Sequence, residues 1–146
     1  MPSNFYIANK LSCTPPQSGA LENLQTAQVQ KLITELEGRN LTVCIKAATA
    51  LGRMGPEAKL ATVALANVLK THTDESMLYT VAWALGEIGP DAIAAESAFI
   101  EVLEKKTSKN SEFYKTDLHI QLAGSLLKIV GEERYRSLRK EQIPSL

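Results

Sequence analysis

Side chains able to do chemistry are few in this 146-residue chain, and they stand far apart. The two cysteines, Cys13 and Cys44, are separated by 31 positions, with no C-x-x-C pair and no histidine beside either. A zinc site or a disulfide framework needs more ligands at tighter spacing. Cys44 is therefore expected as a small apolar residue in a helix. His72 and His119 are read as a turn residue and a helix residue, not as metal ligands. The P-loop, G-x-G-x-x-G and G-x-S-x-G patterns are absent, and Gly52/Gly55 and Gly86/Gly89 have repeat spacing rather than phosphate-loop spacing. Nothing in the order of Ser, His and Asp marks a triad. The expectation is a protein with no catalytic residues, no metal and no cofactor.

What remains distinctive is an aromatic pair. Tyr79 and Trp83, the only tryptophan, are four residues apart and so share one helix face. Val81, Ala82 and Leu85 already fill the inward stripe of that helix, which leaves the pair facing outward. Tyr and Trp are enriched at binding hot spots, and a large exposed apolar patch calls for a partner. Tyr79 and Trp83, flanked by Ile45, Lys46 and Thr49, are thus the candidate partner-binding residues. The competing reading is that the N-terminal segment or a neighbouring repeat covers both rings and makes them ordinary core.

Charge narrows the partner. Lys plus Arg and Asp plus Glu both total 16, giving a formal net charge of zero. The first 73 residues hold seven basic and four acidic residues, so the first half is mildly basic and the second mildly acidic. A neutral chain exerts no long-range pull on nucleic acid or anionic membrane, so nucleic acid is not expected as a partner. The N-terminal MPSNFYIANKLSCTPPQ lacks a basic start followed by an apolar run, so it does not read as a signal peptide. No window approaches the ~18 apolar residues of a spanning helix. The expected compartment is cytoplasmic, with no membrane insertion.

The elements that must position the aromatic pair announce themselves by repetition. "TALGRMGPEA", from residue 49, returns as "WALGEIGPDA" 34 positions later: Ala50, Leu51, Gly52, Gly55, Pro56 and Ala58 recur as Ala84, Leu85, Gly86, Gly89, Pro90 and Ala92. Residues 1–20, with Pro15-Pro16 and Ser18-Gly19, read as a flexible tail, either a strap on the body or a short docking peptide. Residues 21–146 read as one domain. Apolar spacing is helical throughout it. Leu24, Ala27, Leu32, Ile33 and Leu36 define a first inward stripe, ended by Gly38. Val43, Ala47, Ala48, Ala50 and Leu51 define a second, capped by Asn40. Gly55-Pro56 then closes one helix and opens the next. A third helix is expected from about Glu57 to Lys70, and a fourth over 75–87 capped by Asp74. A fifth is expected over 91–106 after Gly89-Pro90, with Ala95, Phe99, Val102 and Leu103 in the places of Ala61, Leu65, Val68 and Leu69.

A third, degraded copy follows. "LLKIVG", 126–131, aligns with "ALGRMG", with Glu132 in place of the proline and Leu127 in place of the inner glycine. Eight extra residues separate it from the second copy, placed within the polar stretch Lys105 to Tyr114. A last helix, 132–142, carries Arg134, Arg136, Arg139 and Lys140 among glutamates, as a solvated cap. No stretch alternates with period two, so the fold is expected to be all-α. A glycine inside a helix costs ~1 kcal/mol relative to alanine, so Gly52 and Gly86 imply close approach of a neighbouring helix. Helix pairs that cannot bury both flanks alone stack into one core.

"VCIKAATALGRMG" and "MLYTVAWALGEIG" resemble the second helix of HEAT-superfamily repeats, most nearly the short HEAT-like repeats of phycobilisome (bilin) lyase-type cyanobacterial proteins. The resemblance covers about residues 23–131. It implies an α-solenoid of helical hairpins, about seven helices in a right-handed superhelix, with the second helices lining a concave face. The family's arginine position falls on Cys44, Leu78 and His119, so its inter-repeat Asp–Arg ladder is missing and apolar packing must replace it. The His-Glu pairs of the family's di-iron hydroxylases have no counterpart, since Thr73 follows His72 and Ile120 follows His119.

The function this implies is a non-catalytic scaffold or adaptor that binds another protein on the concave face, with self-association left open. The alternative is an accessory factor in phycobiliprotein assembly, bilin attachment or phycobilisome turnover, its partner a phycobiliprotein or other photosynthetic protein. A red-shifted visible band on mixing with a bilin would mark pigment binding. Its absence would favour the plain adaptor.

Overall fold

The structure, a computed structural model, describes residues 18–109, 112–113 and 116–142, and every element in them is helical. Helix α1 spans Ser18–Leu36, α2 Leu41–Met54, α3 Thr62–Thr71, α4 Glu75–Ile88, α5 Glu96–Lys109, α6 Asp117–Val130 and α7 Glu132–Glu141. All but three residues of the expected 1–20 tail lie outside the described residues; those three open α1. Among the described residues no helix is long and apolar enough to cross a membrane.

Local chemistry sets the boundaries. The Asn40 side chain accepts from the N–H groups of Thr42 and Val43, and Asp74 accepts from Met77, each satisfying donors that a helix start leaves orphaned. Gly55 and Gly89 close α2 and α4 at φ +58° and +74°, where a Cβ would be strained. Their ψ values, −136° and −142°, fall outside the left-handed helical region expected of a closing glycine. The helices expected to start at about 57 and 91 begin instead as 3-10 segments, Gly55–Ala61 and Gly89–Ala95. Each has its proline in the first turn, and the tighter i→i+3 pattern carries the chain round the corner before α3 and α5 begin. Helix α5 runs on to Lys109, into the polar stretch expected to hold the insertion.

Helix α4 is the centre of the molecule. It packs on α2 along one flank and α6 along the other, with α3 and both 3-10 segments behind it. Five pairs of residues 34 apart share the same burial: Leu51 and Leu85, Leu65 and Phe99, Leu69 and Leu103, Ala58 and Ala92, Ala61 and Ala95 are all sealed. Fully burying one of these leucine or phenylalanine side chains contributes about 1.5–3 kcal/mol. Phe113 joins this core from the segment before α6 and meets the His119 ring edge-on, at 5.5 Å between centroids.

Two inward stripes differ from the sequence reading. In α1, Leu24 is 67 % exposed and Ala27 is also exposed, whereas Val29 and Leu36 are buried and Leu32 and Ile33 half-buried. Every side chain from 21 to 28 is exposed, so the described side chains of this 19-residue helix that are held against the core begin at Val29. In α2 the buried set is Cys44, Ala47, Ala48, Leu51 and Gly52, spaced i, i+3, i+4, i+7, i+8. Val43, one residue out of that phase, is exposed and Ala50 is half-buried. Cys44 points its thiol at the Gly38 carbonyl, 3.2 Å away.

The positions assigned to the family's arginine, Cys44, Leu78 and His119, are all buried. Apolar packing is nevertheless not alone in joining the elements. Lys70 pairs with Glu101 at 3.2 Å, Lys128 with Glu87 at 2.8 Å, and Arg134 of α7 with Glu96 of α5 at 2.7 Å. These are surface pairs, each contributing ~1 kcal/mol or less. Helix α7 tucks Leu138 into the core and leaves its remaining basic residues in solvent. It does not cover the far flank of α6. Ile120 and Leu127 are 63 % and 38 % exposed, while Leu78 and Leu85, 42 positions earlier, are sealed between α4's neighbours.

Candidate functional site

The site grows from the contact between α2 and α4. Gly52 lies in the buried stripe of α2, and a Cβ there would stand 2.4 Å from Cζ3 of Trp83 and 3.0 Å from the Cα of Ala84. The missing side chain is what lets the indole of α4 lie against the backbone of α2. The next pair repeats the device at smaller scale: a Cβ on Gly86 would meet Ser125 of α6, its Oγ at 2.8 Å and its Cβ at 3.0 Å. Ser125 stands 42 positions after Trp83, so the large residue and the small one occupy matching places in successive helices. Counting back from Gly131, the inner-glycine position of the last copy falls on Lys128 rather than Leu127.

Trp83 is accordingly neither of the two things expected. It is half-buried, its six-membered ring seated on Gly52 and its outer edge lining a groove between α4 and α6. Tyr79, one turn earlier, is 44 % exposed in the same groove. The groove encloses about 730 Å³. Glu75, Asp117, Gln121 and Ile120 line it together with the aromatic pair, and the Lys128–Glu87 ion pair spans it where α4 and α6 approach their C-termini.

Ile45, Lys46 and Thr49 do not join this groove. They line a second one, about 580 Å³, with Gln28 of α1 and with Arg53 and Met54. The reason is positional: Ile45, Lys46 and Thr49 stand 34 residues before Tyr79, Thr80 and Trp83. They are the corresponding stripe one helix earlier, open toward α1 as Tyr79 and Trp83 are open toward α6. Thr49 gives its hydroxyl to the Ile45 carbonyl of its own helix, 2.8 Å away, and Lys46 is exposed. The five predicted residues thus form two adjacent grooves, separated by the Trp83–Gly52 contact.

Sequence reasoning missed the residues that α6 contributes. Asp117 and Gln121 stand 42 positions after Glu75 and Tyr79, so the same offset that located the third copy locates them. Among the described residues no group of three or more His, Cys, Asp or Glu side chains is placed to hold a metal ion. Compared with family models, with curated proteins and with solved structures, the chain matches none of them.

Proposed function

We propose that this protein is a non-catalytic adaptor, a short scaffold of HEAT-like helical hairpins that binds a partner protein on the face made by α2, α4 and α6. The cytoplasm is the compartment that goes with this reading. The observation that carries it is Tyr79. In the central helix, whose Met77, Leu78, Val81, Leu85 and Ile88 are all sealed, this large aromatic residue stands 44 % exposed in an open groove beside Trp83. A rigid aromatic side chain held at the mouth of a groove, with a second ring fixed behind it, is the arrangement of a binding hot spot.

Tyr79→Ala is the direct test. Capture from the native cell on immobilised protein, read by mass spectrometry, should yield a partner with the wild type and lose it with Tyr79→Ala. The melting temperature of the variant should stay within a few degrees, since an exposed ring contributes little to the core. Tyr79→Ala plus Trp83→Ala should also lose the partner but melt earlier, because Trp83 fills the space above Gly52. A Tyr79→Ala protein that captures the same partner undiminished would sink the proposal.

A further inference from the structure

The groove around Tyr79 and Trp83 is acidic. Of the charged residues lining it, Glu75, Glu87 and Asp117 are negative and only Lys128 is positive. Lys128 is already engaged, its Nζ 2.8 Å from Glu87. Glu75 and Asp117 are exposed and take part in none of the ion pairs among the described residues. They begin α4 and α6, so both stand at the same end of the groove, where a negative charge also suits the helix dipole. Tyr79 follows Glu75 by one turn and Trp83 follows Tyr79 by another. Along the groove the order is therefore two unpaired carboxylates, a phenol ring and an indole.

That order fits a cation on a long stem. A guanidinium or ammonium can meet the carboxylates while its methylenes lie across an aromatic face, an arrangement favourable to both parts. A negatively charged or wholly apolar occupant would instead strip water from Glu75 and Asp117 without replacing it, which is costly. The neighbouring α1–α2 groove has the opposite sign, with Lys46 and Arg53 and no acidic residue, so the preference belongs to one groove rather than to the whole face.

We infer that the α4–α6 groove takes an arginine- or lysine-bearing segment of a partner protein, its cation between Glu75 and Asp117 and its stem across Tyr79. This rests on the adaptor reading and adds the partner's charge to it.

Trp83, the only tryptophan, is a built-in reporter of the groove. Three short helical peptides with one leucine-alanine frame, differing only in having Arg, Gln or Glu at two positions four apart, are titrated into the full chain at low salt. The Arg peptide should shift Trp83 emission saturably and bind about tenfold more tightly than the Gln peptide, with the Glu peptide weakest. Its advantage should shrink as salt rises. It should fall to the level of the Gln peptide in Glu75→Gln plus Asp117→Asn, and persist in Glu104→Gln on the outer surface. If the double variant failed to fold, the salt titration of the wild type would read the same charge dependence. Equal binding of all three peptides, preference for the Glu peptide, no emission change with any of them, or an Arg advantage untouched by the double variant or by salt would each overturn the inference. Equal binding that still vanished in Tyr79→Ala would remove the basic partner and leave the adaptor reading standing, which has its own test in capture from the cell.

Discussion

Leu85→Ala is expected to lower the stability of the protein by about 2–5 kcal/mol, the range for emptying a sealed leucine site. Its place on the central helix puts the expected cost toward the upper end of that range. Leu85 is 0 % exposed on α4, which touches α2, α3, α6 and both 3-10 segments. A cavity there has packed neighbours on several sides, so collapse to refill it is restricted, and incomplete collapse is what raises the cost. The matched residue Leu51 is sealed as well, but α2 has α1 on its outer side, a helix whose side chains from 21 to 28 are exposed. Leu51→Ala should therefore cost less than Leu85→Ala. Urea unfolding of both variants measures the two differences directly. If Leu85→Ala moved the midpoint no more than an exposed substitution such as Leu24→Ala, the helical register derived from the 34-residue offset would be wrong.

How much of this was legible in the sequence depends on whether the cause was local. Asn40 and Asp74 as caps, and Gly55 and Gly89 as stops, follow from the chemistry of the residue at its own position, and the structure has them so. The shared burial of Leu65 with Phe99 and of Leu69 with Leu103 follows from the repeat, because equal positions in similar helices meet similar surroundings. What misled was phase and reach. Val43 and Cys44 are both small and apolar, and only the direction of the neighbouring helices decides that the thiol goes in. Leu24 has the right spacing for an inward stripe, yet the α1 side chains from 21 to 28 stand clear of what holds Val29 and Leu36. The split of the candidate site into two grooves has the same origin. Ile45, Lys46 and Thr49 are equivalent to Tyr79, Thr80 and Trp83, and equivalent residues on adjacent parallel helices lie side by side in separate furrows. The pattern records that they correspond, which differs from recording that they touch.

Gly52 and Trp83 were each conspicuous alone, a glycine inside a helix and a tryptophan where the first copy has threonine, and their contact gives the last prediction. Alanine normally improves on glycine in a helix interior by ~1 kcal/mol. At residue 52 the new Cβ would stand 2.4 Å and 2.9 Å from two ring carbons of Trp83 and 3.0 Å from the backbone of Ala84. The ring or helix α4 must move, and overpacking of this kind costs about 1–3 kcal/mol or more, so the propensity gain is outweighed and Gly52→Ala should destabilise. Gly124→Ala supplies the opposite case within the same fold. It too sits inside a helix, but a Cβ there has nothing within 4 Å, so the ordinary gain of up to ~1 kcal/mol should appear. One substitution, made in two helices, is thus expected to change stability with opposite signs. In a Trp83→Ala background the two ring contacts are gone and the penalty of Gly52→Ala should shrink, and the difference between backgrounds is the coupling between the two residues. Gly52→Ala should also push the indole outward into water and shift its emission to the red. A Gly52→Ala protein that melts later than the wild type, with unshifted Trp83 emission, would show that the indole does not rest on Gly52.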